Sequence, residues 1–222
     1  MYGRDARPAG DHTENGEGVN MRARRLPGLP VLALNDGGRL GKVKSVVVDP
    51  SARRVAALIV APPGLSRAKI LPTAGVHALG ADAVTVDRSD LLLPFREAVD
   101  FHQFLGKEQV RIIGSPVFTA GGELVGGARD FEISGTGEIE GILVSRGLFP
   151  APPGREAHIP RECIVALGID AVIVTDEAAV LLRREQPESP LKQEGREKSL
   201  FRLFASAEKR ETERRETEHK EE

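Results

Sequence analysis

The sequence predicts an all-β protein made of two small barrels in tandem, with a connecting helix and a charged helical C-terminal tail. Three observations support this prediction. The octapeptide LGADAVTV at residues 79–86 returns as LGIDAVIV at residues 167–174, the chain has 24 glycines and 15 prolines, and aromatic residues make up only 4% of it. Frequent turn residues between short apolar runs are typical of small β-domains. A core poor in aromatics must be aliphatic, and β-branched side chains favour strands.

The octapeptide belongs to a longer internal repeat. The segment at 35–50 aligns with 120–135, and the segment at 54–60 aligns with 138–144. Loops of different length absorb small shifts in register, because surface connections tolerate insertions at little cost. We therefore predict two copies of one unit, at about residues 25–90 and 111–183.

Each copy predicts the same elements in the same order. A short strand follows a proline (Pro30, Pro116), and a Gly-rich turn leads into a longer strand. A second turn precedes an apolar strand, and a Pro/Gly loop then leads to a short strand ending in Leu-Pro or Ile-Pro. The octapeptide closes the copy, with Asp82 and Asp170 at a turn. Five or six strands per copy favour a barrel, and closing the sheet would remove its exposed edges. We interpret the repeated octapeptide as structural, because two equivalent cores need two equivalent strands.

These motifs resemble a known family. RLGKVKSVVVDPSARRVAALIV at 39–60 and ALGADAVTV at 78–86 are similar to the PRC-barrel family, and IPRECIVALGIDAVIV at 159–174 fits its pattern still better. The resemblance covers about 140 of the 222 residues. It implies six-stranded β-barrels that serve mainly as docking modules. It brings no catalytic residues, because the family shares none.

The regions outside the copies predict three further segments. Residues 1–24 are polar and Gly-rich, and we expect a disordered arm. Residues 91–110 predict a connecting helix and linker, with Pro94 in a first turn and Gly106 at the end. Residues 184–222 predict a linker and then a charged helix, with ten Lys/Arg against eleven Glu. The connecting helix would place five residues near helical spacing: Phe95, Val99, Phe101, His102 and Leu105.

No pattern of residues predicts catalysis, a cofactor or a metal site. A single cysteine, Cys163, excludes an internal disulfide framework and any multi-cysteine site, and we interpret it as a buried structural thiol. The Gly-rich stretches match no phosphate-binding motif and sit at hairpin turns. Five histidines occur, none at a metal-binding spacing: His12, His77, His102, His158 and His219. We therefore expect a protein that is not an enzyme.

Two segments are the candidate partner contacts. The Pro-rich loop at 145–155 carries Leu148, Phe149 and Arg155, and stiff loops lose little entropy on binding. Its apolar pair either contacts a partner or caps the barrel core. The tail carries four apolar residues on one side of two helical turns: Leu200, Phe201, Leu203 and Phe204. They either rest on a barrel or bind a partner protein, and contact with a membrane surface is the weaker alternative.

Charge is divided unequally between the copies. Residues 25–88 hold nine Lys/Arg and four Asp, whereas residues 111–183 hold six Arg and ten Asp/Glu. Either the barrels address different partners or opposite faces meet, or the difference is drift after duplication. One basic group could touch RNA phosphates, although no aromatic platform accompanies it: Arg39, Lys42, Lys44, Arg53 and Arg54.

Together these features predict a non-enzymatic adaptor that binds a protein partner through barrel faces and loops. The alternative is a ribosome- or RNA-associated assembly factor. A third hypothesis is an enzyme or small-ligand binder. A deep polar pocket that contains titratable groups with strongly shifted pKa values would favour it. The N-terminus has no apolar signal core and no run of about 18 apolar residues occurs, so we expect a soluble cytoplasmic protein. A homo-oligomer remains open.

Overall fold

The computed structural model describes residues 20–64, 67–106, 109–145 and 156–185, and this part of the chain is mostly β. The first strands are β1 Met21–Arg22, β2 Pro30–Ala33, β3 Arg39–Asp49, β4 Arg54–Ala61, β5 Lys69–Pro72, β6 Val76–Leu79, β7 Val84–Val86 and β8 Leu93–Pro94. The second group is β9 Pro116–Thr119, β10 Leu124–Ile133, β11 Ile139–Ser145, β12 Ala157–Pro160, β13 Ile164–Leu167 and β14 Val172–Val174, followed by helix α1 Asp176–Glu185. The predicted all-β class with two copies in tandem is confirmed.

Each copy forms one curled sheet with the same strand order. The first runs β6-β7-β2-β3-β4-β5, with β8 added beside β5, and the second runs β13-β14-β9-β10-β11-β12. The pairs β2–β7 and β9–β14 are parallel, and the other neighbours are antiparallel. Among the described strands no pairing joins the two ends of either sheet, so each copy is described as a curled half-barrel. In the described part of the chain the end strands β6 and β13 therefore have a neighbouring strand on one side only.

One hydrophobic core runs through both sheets. Val31 and Leu58 of the first copy belong to the same contiguous group of buried side chains as Phe131 and Ile142 of the second. Aliphatic strands alternate inward and outward residues, so each sheet supplies one apolar face to this core. The two copies therefore pack together as one folded unit.

The copies meet at equivalent turns. Arg54, which begins β4, lies opposite Glu138 in an isolated antiparallel bridge. These two residues occupy corresponding positions of the repeat, 84 residues apart. The Glu138 carboxylate pairs with Arg161 Nη1 at 2.8 Å, so the bridge itself is a contact of backbone groups.

The two hydrogen bonds of this bridge join corresponding residues of the two copies. The N–H of Val55 donates to the carbonyl of Gly137 at 2.7 Å, and the N–H of Ile139 donates to the carbonyl of Arg53 at 3.0 Å. Exchanging the two copies turns one bond into the other. An approximate two-fold axis therefore passes through the bridge, which we call the axial bridge.

Residues 20–24 differ from the prediction of a disordered arm. Met21 and Arg22 pair with Ile133 and Glu132 of β10, so the start of the chain adds a strand to the sheet of the second copy. Met21 and Ala23 are buried in the core, which gives these apolar residues an ordered place. Residues 1–19 lie outside the described part of the chain.

The segment between the copies also differs from the single connecting helix that the sequence predicts. Two short 3-10 helices, Phe95–Glu97 and Val99–Phe104, replace a single α-helix. Ala98 breaks the run between them, because its backbone is non-helical and its side chain packs on Val47 and Ile70 at the outer face of the first sheet. The segment thus covers that face, and Gly106 follows it with a positive φ of 85°.

Helix α1 was not predicted. Ala178, Ala179 and Leu182 are buried in the common core, and an Asp176 carboxylate oxygen accepts the N–H of Gly121 at 2.9 Å. The helix contacts β9 and β12 and so covers part of the second sheet. The predicted linker and charged helical tail beyond residue 185 fall outside the described residues.

Gly126 provides a test of how closely the strands approach. A methyl group there would collide with the carbonyl oxygen of Ser145 on the next strand, whereas a methyl group at Gly135 would meet no atom within 4 Å. We expect Gly126→Ala to lower the free energy of unfolding by about 2 kcal/mol or more, since a backbone oxygen cannot move aside cheaply. Urea unfolding measures this value. Gly135→Ala is the matched control, and equal losses in both variants would contradict the argument.

Candidate binding surfaces

The predicted partner contacts cannot be placed on this fold. Leu148, Phe149 and Arg155 lie in the gap after β11, and the tail residues lie beyond α1, so all seven fall outside the described residues: Leu148, Phe149, Arg155, Leu200, Phe201, Leu203 and Phe204. The described residues offer two other surfaces. One is the hairpin β13–β14, and the other is a cleft between the copies.

The hairpin β13–β14 exposes apolar side chains at the edge of its sheet. Val165 is 46% exposed and Ile169 is 49% exposed. The pairing of β13 with β14 is irregular between Ile164 and Ala166, which leaves both Val165 and Ala166 exposed instead of alternating. Since β13 is an end strand, its outer backbone groups border these side chains.

The equivalent hairpin of the first copy is polar. By the alignment of the octapeptides, His77 stands where Val165 stands, and Ala81 where Ile169 stands. His77 Nδ1 lies 3.0 Å from an Asp87 carboxylate oxygen. Only the second copy therefore presents an apolar edge hairpin. The sequence held a signal for this difference, because Ala81/Ile169 is one of only two mismatches between the octapeptides.

The apolar hairpin is held against the junction of the copies. Arg53 Nη2 donates to the carbonyl oxygen of Val165 at 3.2 Å. Arg53 is also the residue whose carbonyl belongs to the axial bridge. The edge strand β13 is thus positioned by a side chain of the first copy.

A cleft of about 400 Å³ lies between the copies near the two-fold axis. Its walls come from two lead-in segments, residues 23–28 before β2 and residues 109–114 before β9, and from strands β3 and β10. The lead-in segments are equivalent in the repeat, because Gly28 donates its N–H to Val43 just as Gly114 donates to Ala128, both at 2.8 Å. The lining residues are Ala23, Arg24, Pro27, Ser45, Val46, Val48, Gln109, Val110, Arg111, Ile112, Ile113 and Phe131.

Asp130 fastens the first lead-in segment to β10. It is only 4% exposed, and one carboxylate oxygen accepts the N–H of Arg24 at 3.1 Å and that of Phe131 at 2.9 Å. Burial raises the pKa of Asp130 above its ordinary value, while these two N–H groups and the charges of Arg24 and Arg22 partly offset the rise. Sequence inspection did not single out Asp130, since its burial depends on the packing of a distant segment.

The basic group proposed for RNA contact is split in two. Arg39, Lys42 and Lys44 are exposed in the first half of β3. Arg53 and Arg54 lie at the axial bridge, beyond the far end of β3. Lys44 is five residues from the end of β3 at Asp49, a distance of roughly 17 Å along a strand. The five cations therefore do not form one surface.

Cys163 is a free thiol of intermediate exposure, and it packs against the common core. His158 lies across Gly141 with Nε2 3.4 Å from a Glu132 carboxylate oxygen. In the described ranges no three His, Cys, Asp or Glu side chains gather as a metal site. No helix within those ranges is long and apolar enough to cross a membrane.

Comparison with known families identifies both copies. The PRC-barrel domain model matches residues 18–95 and again residues 107–181, which together are more than half of the chain. The first match begins before β1 and the second ends within α1. A comparison with curated proteins found no match.

Asp130 makes stability depend on pH. A raised pKa in the folded state means that its contribution to stability is greatest below 3.8, the ordinary value, and is lost as the pH rises through the folded pKa. Asp130→Asn keeps the accepting oxygen but does not titrate. We therefore expect the stability of this variant relative to the wild type to increase from pH 3 to pH 7 in urea unfolding. If the free energy of unfolding changed equally with pH in the variant and the wild type, Asp130 would not be the source of the pH dependence. Asp130→Ala, which orphans two N–H groups, should lose about 1–3 kcal/mol.

Proposed function

Because this chain belongs to the PRC-barrel domain family through both of its copies, we propose that it is a non-enzymatic docking protein. Its binding site for a protein partner is the hairpin β13–β14. The observation that carries this proposal is the exposure of Val165 on the end strand β13 and of Ile169 in the turn after it, at positions where the first copy has His77 and Ala81. PRC-barrel domains often serve as interaction modules, which supports the class of function.

The chemistry of the hairpin favours an extended apolar segment of another protein. An end strand offers unpaired N–H and C=O groups to a new strand, and side-chain contacts then provide specificity. Val165 and Ile169 are each about half exposed, so covering both would contribute about 2 kcal/mol. This is too little for tight binding alone. Backbone pairing along β13, at groups other than the Val165 carbonyl that Arg53 already holds, is therefore a necessary part of the contact.

The assignment of a non-enzymatic role agrees with the setting of Asp130. Its carboxylate holds two backbone N–H groups of the protein itself. That is a structural task, and it ties the lead-in segment to β10. The raised pKa of Asp130 follows from its burial and needs no catalytic explanation.

RNA binding is a second candidate function, and one observation favours it. Arg39, Lys42 and Lys44 are exposed along the same half of β3, and their side chains have no ion-pair partner in the described part of the chain. Three unpaired cations on one strand suit a phosphate backbone. A typical site for single-stranded nucleic acid has more cations and also has aromatic side chains on which bases stack. We therefore rank this function second.

Ile169→Asp tests the docking proposal against Ala81→Asp, its equivalent in the first copy. Both positions are exposed in matching turns, so both variants should fold equally well in a thermal melt. We expect Ile169→Asp to weaken partner binding at least tenfold, because a carboxylate would be buried in an apolar contact. Ala81→Asp should leave binding unchanged. A photo-crosslinking residue at position 165 identifies the partner, and titration of that partner measures both variants.

Equal binding by the two variants would overturn the hairpin as the docking site. If position 165 crosslinks to a second copy of this chain, the hairpin is an interface of a homo-oligomer and not a site for a different protein.

Lys42→Gln with Lys44→Gln tests the RNA function. If these lysines contact phosphates, the dependence of log binding constant on log salt for single-stranded RNA should become shallower by about 0.7 per lysine removed. An unchanged slope, or no binding of the wild type at low salt, would reject this function.

A further inference from the structure

The side chain of Arg53 bears on the chemistry of the partner that docks on the hairpin β13–β14. We propose that this partner is an extended apolar segment with one acidic side chain, Asp or Glu, that meets the Arg53 guanidinium. The inference rests on the proposed function, because it concerns the same hairpin. It goes further by naming the charged group that the partner must carry.

The guanidinium of Arg53 lies at the docking surface. Its Nη2 donates to the carbonyl oxygen of Val165 at 3.2 Å, and Val165 is one of the two apolar side chains that the hairpin exposes. Arg53 belongs to the turn between β3 and β4, so its side chain reaches the hairpin from the other copy. A segment that pairs with β13 and covers Val165 therefore also covers part of this guanidinium.

Arg53 forms no ion pair with a carboxylate in the described part of the chain. Glu138, the acidic residue of the axial bridge, pairs with Arg161 instead. Glu162 and Asp170 are the exposed acidic residues before and after β13, and within the same described ranges neither one pairs with Arg53. The guanidinium is therefore a cation that no described carboxylate neutralises.

A docked partner would remove water from this cation. Arg53 is already half-buried, and a guanidinium has five N–H donors, one of which the Val165 carbonyl engages. Covering a charge without a counter-charge costs free energy. A carboxylate on the partner offsets that cost, because a planar guanidinium can donate two parallel hydrogen bonds to it. An apolar hairpin beside this cation is thus complementary to an apolar segment that carries one acidic side chain.

The backbone of Arg53 gives independent support for a role of its side chain. Its φ is 51°, and Arg53 is the only non-glycine residue in the described ranges with a positive φ. The equivalent residue of the second copy is Gly137, with a φ of 86°. Both carbonyls accept hydrogen bonds of the axial bridge, so glycine would serve this backbone with less strain. An arginine where the backbone favours glycine points to a use for the side chain.

Selection from a display library of random short peptides tests the proposal without knowledge of the natural partner. The full chain is the target, and the Ile169→Asp variant is the target of a parallel selection. Peptides that the wild type enriches and Ile169→Asp does not are those that bind at the hairpin. We expect them to combine alternating apolar residues with one Asp or Glu at a constant distance from these residues.

A synthetic peptide with the most enriched sequence then gives binding constants. Changing its acidic residue to the amide should weaken binding to the wild type about fivefold, the size typical of partly exposed ion pairs. Arg53→Gln should weaken binding of the acidic peptide by the same factor and that of the amide peptide no further, because both changes remove one contact. Arg25→Gln is the matched control, since it removes one positive charge at an exposed residue of another segment, and it should change neither binding constant.

Arg53→Gly is a second variant in case Arg53→Gln does not fold. Glycine suits the backbone conformation at this position, as Gly137 shows in the second copy. The variant should therefore melt near the temperature of the wild type and should bind the acidic and the amide peptide equally.

Three results would overturn the proposal. Hairpin-binding peptides without an acidic residue would overturn it and leave the docking function standing. An acidic preference that Arg53→Gln and Arg53→Gly both retain would do the same, because another group would then recognise the carboxylate. If no enriched peptide depends on Ile169, the docking function and this inference are both overturned.

Discussion

The axial bridge between Arg54 and Glu138 is the contact on which the rest of the structure depends. It joins equivalent turns by two mutually equivalent hydrogen bonds and so fixes an approximate two-fold relation between the copies. That relation brings the lead-in segments face to face, which creates the cleft. It also places Arg53 beside β13, where it holds the carbonyl of Val165. The common core then follows, because two apolar sheet faces meet across the same axis.

On this symmetric framework the surfaces have diverged. The edge hairpin is polar in the first copy, with His77 beside Asp87, and apolar in the second, with Val165 and Ile169. The inward strands changed little, because any change of volume in a packed core is costly. Exposed positions carry no such cost, so they can specialise. The two copies thus share one fold, while their exposed edge hairpins have become different.

The repeat made most of the fold predictable, since aligned apolar runs and glycines report strands and turns directly. The turns at Asp82 and Asp170 are where the octapeptides predict them. What escaped prediction depends on distant partners: the pairing of β1 with β10, the burial of Asp130, and the 3-10 form of the segment around Ala98. The candidate surfaces were harder still. Ile169 was visible only as a mismatch, and the cleft is assembled from four segments that no local pattern connects.

The placement of β1 has a consequence for the order of folding during synthesis. Met21 is synthesised 112 residues before its partner Ile133. At roughly 5–20 residues per second, the first strand must wait on the order of ten seconds before its site exists. In that interval the first copy can form its own ladder from β2 to β8, while Met21 and Ala23 stay without their final neighbours. Strand β1 can therefore reach its final place only after β10 has been made.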